Sequence, residues 1–146
     1  MIVMMTPEEV SKQWGVVRHA IEGSMPSNRS VTEAGMNNIL MSILDGRMQC
    51  WAMEKEGKVQ AIATTVYFFD PCGDKTLCVY SLYGYEIISD RMWKEALEKL
   101  GEFAKRNGCR YVVAYTVDKR VIDIADKNGA TAEIFLTFDV GGIDDV

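Results

Sequence analysis

Chemistry in this chain has to come from a small set of side chains, and four groups of them stand out. The first is the run Tyr80 to Ile88, an aromatic and aliphatic strand interrupted by Gly84 and ending beside a carboxylate, Glu86. A glycine inside a strand marks a bulge or the close approach of another backbone. On packing grounds alone, Gly84 relieves crowding between Tyr83 and Tyr85, and tyrosines at alternating strand positions, like Tyr115 further on, read as half-buried packing. The second group is Ser89-Asp90-Arg91-Met92-Trp93-Lys94. Ser89 or Asp90 is a natural N-cap there, with an oxygen that accepts from the first-turn amides of a helix. The third group is the cysteines, Cys50, Cys72, Cys78 and Cys109. They have no C-x-x-C spacing and sit mostly in apolar strand-like runs, so buried reduced thiols are expected, with Cys72 and Cys78 the one pair that a hairpin could bring into a disulfide. The last is His19, the only histidine. Serine–histidine and cysteine–histidine nucleophiles are excluded unless His19 itself is the base, and no zinc ligand set surrounds it. Its place in an amphipathic helix reads as an ordinary surface or core histidine.

Composition narrows the partners. A net charge of −5 and a pI near 4.9 leave no basic stripe for a phosphate backbone, so nucleic acid is not expected as a partner. No apolar run approaches the roughly 20 residues a membrane span needs. The start, MIVMMTPEE, has an apolar stub but neither a basic region nor a small-residue cleavage site, which does not fit a signal peptide and leads us to expect a cytoplasmic protein. With 146 residues, 48% of them hydrophobic and 25% charged, one globular domain over residues 1–146 is expected, with room for a real core.

The elements that must position these residues follow from periodicity. Ile2 to Met5 is a short strand. Thr6-Pro7-Glu8-Glu9 is a capping box that opens a helix with Val10, Trp14, Val17 and Ile21 on one face, running to Gly23. Ser24 to Arg29, with Pro26 and Asn28, is a loop. Ser30-Val31-Thr32-Glu33 reads as a second capping box, starting a helix with Met36, Ile39, Leu40, Ile43 and Leu44 inward and Asp45-Gly46 as its stop. The period then changes to two. Met48 to Glu54, Lys58 to Phe69 and Thr76 to Ile88 form a three-strand meander, turning at Glu56-Gly57 and at Asp70 to Asp74. Asp90 to Asn107 is a long helix presenting Trp93, Leu97, Leu100 and Ala104, closed by Gly108. Tyr111 to Val117 is a strand, Val121 to Lys127 a short helix closed by Asn128-Gly129, and Thr131 to Val140 a last strand, with GGIDDV as a frayed tail. A strand-helix-strand unit implies a parallel pair. The fold class expected is α/β (α+β), a mixed sheet in the order β-α-α-β-β-β-α-β-α-β.

That order resembles the GNAT superfamily of N-acetyltransferases over essentially the whole chain. The local echoes are Lys105-Arg106-Asn107-Gly108-Cys109 after the long helix, and Ile124-Ala125-Asp126-Lys127-Asn128-Gly129-Ala130, which looks like the family's l-Y-e-k-l-G-F segment. The resemblance implies that the third long strand splays from its parallel neighbour near Gly84 and that the gap receives the pantetheine arm of acetyl-CoA or CoA. It also makes Glu86 the candidate general base, with Tyr83, Gly84, Tyr85, Ser89, Arg91, Met92, Trp93, Lys94 and Asp118 around the cofactor, and a small amine or protein amine as the acyl acceptor. No metal is implied.

Departures from the family pattern are equally specific. The family's pyrophosphate loop, Q/R-x-x-G-x-G/A, corresponds to Ser89 through Lys94, where Met92 and Lys94 replace the glycines and Ser89 the Gln or Arg. Side chains at Met92 and Trp93 obstruct a diphosphate, a capping oxygen would occupy the amides it needs, and Asp90 repels it, partly offset by Arg91 and Lys94. Ala125 stands where many members place a tyrosine acid, and Asp118 where they place an asparagine. Two functions follow from the resemblance: an acyl-CoA-dependent N-acyltransferase with an unusual cofactor loop, or a non-catalytic GNAT-fold module that has no cofactor and works through protein contacts, as do degenerate relatives in tailed bacteriophages and prophages. The apolar strands around Tyr80, Tyr83 and Tyr85 and from Ile134 to Phe138 lead us to expect self-association.

Overall fold

The computed structural model describes residues 1–26, 29–116 and 118–142. The expectations for Asn28, for Val117 and for the end of the GGIDDV tail lie outside the described residues.

A five-stranded sheet in the order β1-β2-β3-β4-β5 carries the molecule. β1 (Ile2–Met4), β2 (Met48–Lys55), β3 (Lys58–Phe69) and β4 (Lys75–Gly84) are successively antiparallel, and β5 (Tyr111–Ala114) lies parallel to β4. The β2–β3 hairpin turns on Glu56 and Gly57 with φ of 53° and 77°. That pair of positive angles matches the twist of the flanking strands, and a glycine at the second position removes half of its steric cost.

Helices cover both faces. α1 (Pro7–Lys12), α2 (Trp14–Glu22) and α3 (Glu33–Leu44) pack one side, around Val10, Val17, Ile21, Met36 and Ile62, all buried. α4 (Asp90–Arg106) packs the other through Ala96, Leu100, Phe103 and Ala104. Phe103 meets Trp51 edge-on at 5.1 Å and stacks on Tyr67 at 6.4 Å, so one aromatic ties α4 to β2 and β3.

Several boundaries differ from expectation. The first helix breaks at Gln13 (φ −111°, ψ 26°), giving α1 and α2 in place of one run. The α3 cap is Thr32, which accepts from the Gly35 amide, in place of Ser30. On α4 the buried face is turned by one residue: Ala96 and Phe103 are inside, whereas Leu97 is 42% exposed. All four cysteines are free, so Cys72 and Cys78 form no disulfide; Cys72 is exposed on the 70–74 turn, while Cys50 and Cys78 are buried and Cys109 is half-buried. The segment Thr131 to Val140 forms no ladder, only a turn of 3-10 helix at Val140–Gly142, and its side chains are exposed. The fold class stands; this last strand is the exception to it.

The two glycine stops behave as their composition requires. Gly108 (φ 74°) and Gly129 (φ 90°) follow Asn107 and Asn128, and the next amides, Cys109 and Ala130, each donate back to the carbonyls of Ala104 and Ala125, at 2.8 and 3.0 Å. Each is the glycine-terminated stop that satisfies orphan carbonyls at a helix end.

Candidate functional site: the cleft between β4 and β5

The site begins where the sheet comes apart. The β4–β5 ladder pairs Thr76 with Tyr111 through Val79 with Ala114, and its last link is the Tyr115 amide donating to Val79 O at 3.3 Å. Beyond it β4 continues to Gly84, paired among the described residues with β3 alone. The parting comes earlier than Gly84, and a bulge marks it: Thr64 pairs with Ser81 and Thr65 with Val79, so Tyr80 is the extra residue. A bulge bends the strand that carries it and increases its twist, which turns β4 away from its parallel neighbour. The bulge is therefore at Tyr80, not at the glycine. Gly84 has no positive φ, and a Cβ there would rest 3.5 Å from Glu86 O, an ordinary contact.

The parting opens a cleft of about 800 Å3. Its walls are Val79, Leu82, Gly84, Glu86 and Ile88 from β4 and its extension, Ala114 to Thr116 from the end of β5, and Trp93 from α4. Asp118, Arg120 and Val121 at the start of α5 (Lys119–Lys127) and Glu133, Phe135 and Thr137 from the C-terminal segment close it. Trp93 Nε1 is buried and has no hydrogen-bond acceptor among the described residues.

Glu86 sits on this wall and is held. Gln60 Nε2 donates to Glu86 Oε2 at 3.0 Å, and Gln60 O accepts from the Tyr85 amide at 2.8 Å. Gln60 can do both because it is itself an extra residue: Met53 pairs with Ala61 and Glu54 with Val59, which leaves Gln60 bulged out of the β2–β3 register. Its side chain is buried. Sequence reasoning missed Gln60, and only the polar residue among apolar neighbours in Val59-Gln60-Ala61-Ile62 hinted at it.

The other expected residues are divided. Gly84, Glu86, Trp93 and Asp118 share the cleft. Ser89, Arg91 and Met92 line a second hollow of about 410 Å3, beside the β2–β3 turn at Glu54 to Gly57. Tyr83, Tyr85 and Lys94 line neither. Tyr83 packs instead with the α1–α3 core, edge-on to His19 at 5.8 Å and to Tyr85 at 5.1 Å. Gly23, at the end of α2, lets the Tyr83 ring approach: a Cβ there would meet Tyr83 Cε2 at 2.6 Å. Asp118 caps α5 by accepting from the Arg120 amide at 2.9 Å, and Arg120 Nη2 donates to Ile88 O at 2.6 Å, which pins α5 to the start of α4.

The start of α4 is capped as its sequence suggests. Ser89 has extended backbone (φ −67°, ψ 154°), and its hydroxyl accepts from the Met92 amide at 3.2 Å. That leaves the amides of Asp90 and Arg91, which have no carbonyl a turn earlier in the helix to bond.

Solved structures of similar shape are acetyltransferases by name. A predicted acetyltransferase with acetyl-CoA from Clostridium acetobutylicum matches with a TM-score of 0.72 at 12% identity, covering 99% of this chain and 98% of that one. An aminoglycoside acetyltransferase from an uncultured soil metagenomic sample, in complex with sisomicin, matches with a TM-score of 0.67 at 15% identity over 95% and 93% of the two chains. A GNAT family acetyltransferase from Staphylococcus aureus matches with a TM-score of 0.64 at 12% identity over 95% and 96%. The fold is the GNAT fold. No protein-family model matches the sequence, and no curated protein matches it. At these identities the likeness is one of architecture, and what the GNAT-fold cleft does here rests on its own residues. Among the described residues no helix is long and apolar enough to cross a membrane, and no group of His, Cys, Asp and Glu could hold a metal.

Proposed function

We propose that the protein is an acyl-CoA-dependent N-acyltransferase that grips the phosphate end of its cofactor weakly. The observation that carries this reading is the parting of β4 and β5 after Val79 and Ala114, with Glu86 held by Gln60 on the wall it creates. The residues present fit the arm of an acyl-CoA. Residues from Gly84 to Thr116 share the lining of the cleft, and the missing side chain at Gly84 leaves backbone accessible. Acyl-CoA, when bound, supplies an acyl group activated as a thioester. Gly84 and its neighbours would orient that arm. Glu86 would take the proton from an incoming small amine or protein amine as its nitrogen bonds to the thioester carbon and the carbon–sulfur bond breaks, with the CoA thiolate leaving and taking a proton from water. Ala125, half-buried in α5, offers no acid at the place where the resembled family puts a tyrosine.

The phosphate end fits less well. Helix N-termini bind phosphate through free amides and the helix dipole. Here Ser89 takes the Met92 amide and Asp90 adds negative charge in the first turn. That same observation favours a second reading, a GNAT-fold module without catalysis or cofactor that acts through protein contacts, of the kind found in phages. Thermal shift with acetyl-CoA and with free CoA separates the two. A ligand equal to its Kd stabilises by about 0.4 kcal/mol, and one at tenfold excess by about 1.4 kcal/mol. The enzyme reading expects a shift that starts at millimolar acetyl-CoA and grows as the ligand is raised to about tenfold that level, and acyl transfer to an amine that Glu86→Gln abolishes. No shift over that range leaves the module.

A further inference from the structure

Two cations line the cleft among the described residues, Arg29 and Arg120. Arg29 comes from the loop after α2, where Met25 packs on the α1–α3 core. Arg120 is fixed on the α4 side. Its Nη2 donates at 2.6 Å to the carbonyl of Ile88, which is buried in the α4 core and stands next to Ser89 in the chain. α5 buries none of its residues, and this bond ties its first turn to the residue before the Ser89 cap. A guanidinium carries five N–H donors, so most of the Arg120 fork stays open. No described carboxylate forms an ion pair with it. Of the carboxylates that share the cleft, Asp118 accepts from the Arg120 amide, Glu86 accepts from Gln60, and Glu133 stands on the exposed C-terminal segment. In a chain of net charge −5, a cation anchored in a cleft without a carboxylate partner is placed to receive an anionic ligand.

We propose that Arg120 receives the diphosphate of the acyl-CoA, so that a side chain from α5 does what the capped start of α4 does poorly. This rests on the acyl-CoA reading above and names the residue behind its weak phosphate grip. Ile88 lies four residues beyond Gly84, at most about 14 Å along the chain, so an arm laid over Gly84 has its phosphate end within reach of Arg120. The bond to Ile88 O holds the fork in place before a ligand arrives, which lowers the entropy lost on binding. A planar guanidinium also pairs with phosphate oxygens two at a time, which fixes the direction of the arm as well as its charge. A single exposed arginine is screened by solvent and salt, and the affinity it confers stays modest.

Titration of the full chain with acetyl-CoA and with S-acetylpantetheine, the same arm without phosphates, tests this. The expected result is a Kd about tenfold lower for acetyl-CoA, a preference that Arg120→Gln removes while S-acetylpantetheine binds as before. Equal weakening of both probes means that Arg120 only braces α5, and a preference that survives Arg120→Gln means that another group holds the phosphates; either overturns the assignment. If neither probe binds the unaltered protein, the acyl-CoA reading falls and Arg120 with it, whereas binding of both without preference removes Arg120 alone. The Arg120 Nε–H signal of the unaltered protein gives an answer even where the variant fails to fold. It should move with acetyl-CoA, less so as salt is raised, and stay still with S-acetylpantetheine. A signal that moves with neither probe, or alike with both, overturns the assignment.

Discussion

At the scale of single residues, the cleft depends on two bulges and two glycines whose roles differ. Gln60 and Tyr80 are the extra residues that aim Glu86 and turn β4 aside. Gln60→Leu should leave Glu86 without its hydrogen bond while keeping the volume apolar. If the cleft is a site of acyl transfer, we expect kcat to fall, with stability changed by no more than about 1.5 kcal/mol for the lost, partly buried bond. Gly23 and Gly84 make a contrasting pair. Gly23→Ala would drive a Cβ into the Tyr83 ring and should cost about 1–3 kcal/mol in urea unfolding, as overpacking does. Gly84→Ala meets only ordinary contacts and should be neutral or stabilise by up to about 1 kcal/mol, since it also restricts the unfolded chain. The thiols divide in the same way: burial pushes Cys50 and Cys78 up to about 12, so a thiol reagent at pH 8 should label Cys72 first and reach Cys50 and Cys78 only on denaturation.

At the scale of elements, what could be read in advance was local. The Ser89 cap, the Asn-Gly stops of α4 and α5 and the Glu56-Gly57 turn are each decided within a few residues, and each forms where the sequence places it. The bulges could not be read, because an extra residue exists only relative to a partner strand distant in sequence. The rotated face of α4 was missed for a related reason: Leu97 and Phe103 are equally apolar, and the sheet beneath, with Trp51 and Tyr67, chooses Phe103. Phe103→Ala should accordingly cost about 3–5 kcal/mol, against little for Leu97→Ala. Ser89→Ala should cost about 1 kcal/mol through the lost cap. α2 and α3 are joined by Arg18, which donates to Glu22 at 2.6 Å and to Glu33 at 2.7 Å. The guanidinium holds the Glu33 carboxyl below its ordinary range. A depressed carboxylate contributes stability above its unfolded pKa and loses it as pH falls through its folded value. The melting-temperature gap between the protein and Glu33→Gln should therefore be widest near neutrality and shrink on acidification past about pH 4.

At the scale of the whole molecule, architecture and activity separate. The sequence was enough to expect a GNAT-like mixed sheet, because the order of helical and strand periods survives where motifs do not. The cleft residues were only partly legible: Gly84, Glu86, Trp93 and Asp118 come together, while Ser89, Arg91 and Met92 line a separate hollow and Tyr83 goes to the α1–α3 core. Which side of a helix start a residue occupies depends on how the helix docks, and the sequence window around Ser89 does not contain that information. If the parted strands form an acyl-CoA site with a weak phosphate grip, amide chemical shifts followed during an acetyl-CoA titration will report it. The expected result is saturable changes confined to Leu82 through Ile88 and Ala114 through Val121, with a Kd toward the millimolar range, near −4 kcal/mol. Spectra unchanged at millimolar acetyl-CoA, or shifts that gather away from those two segments, would contradict it.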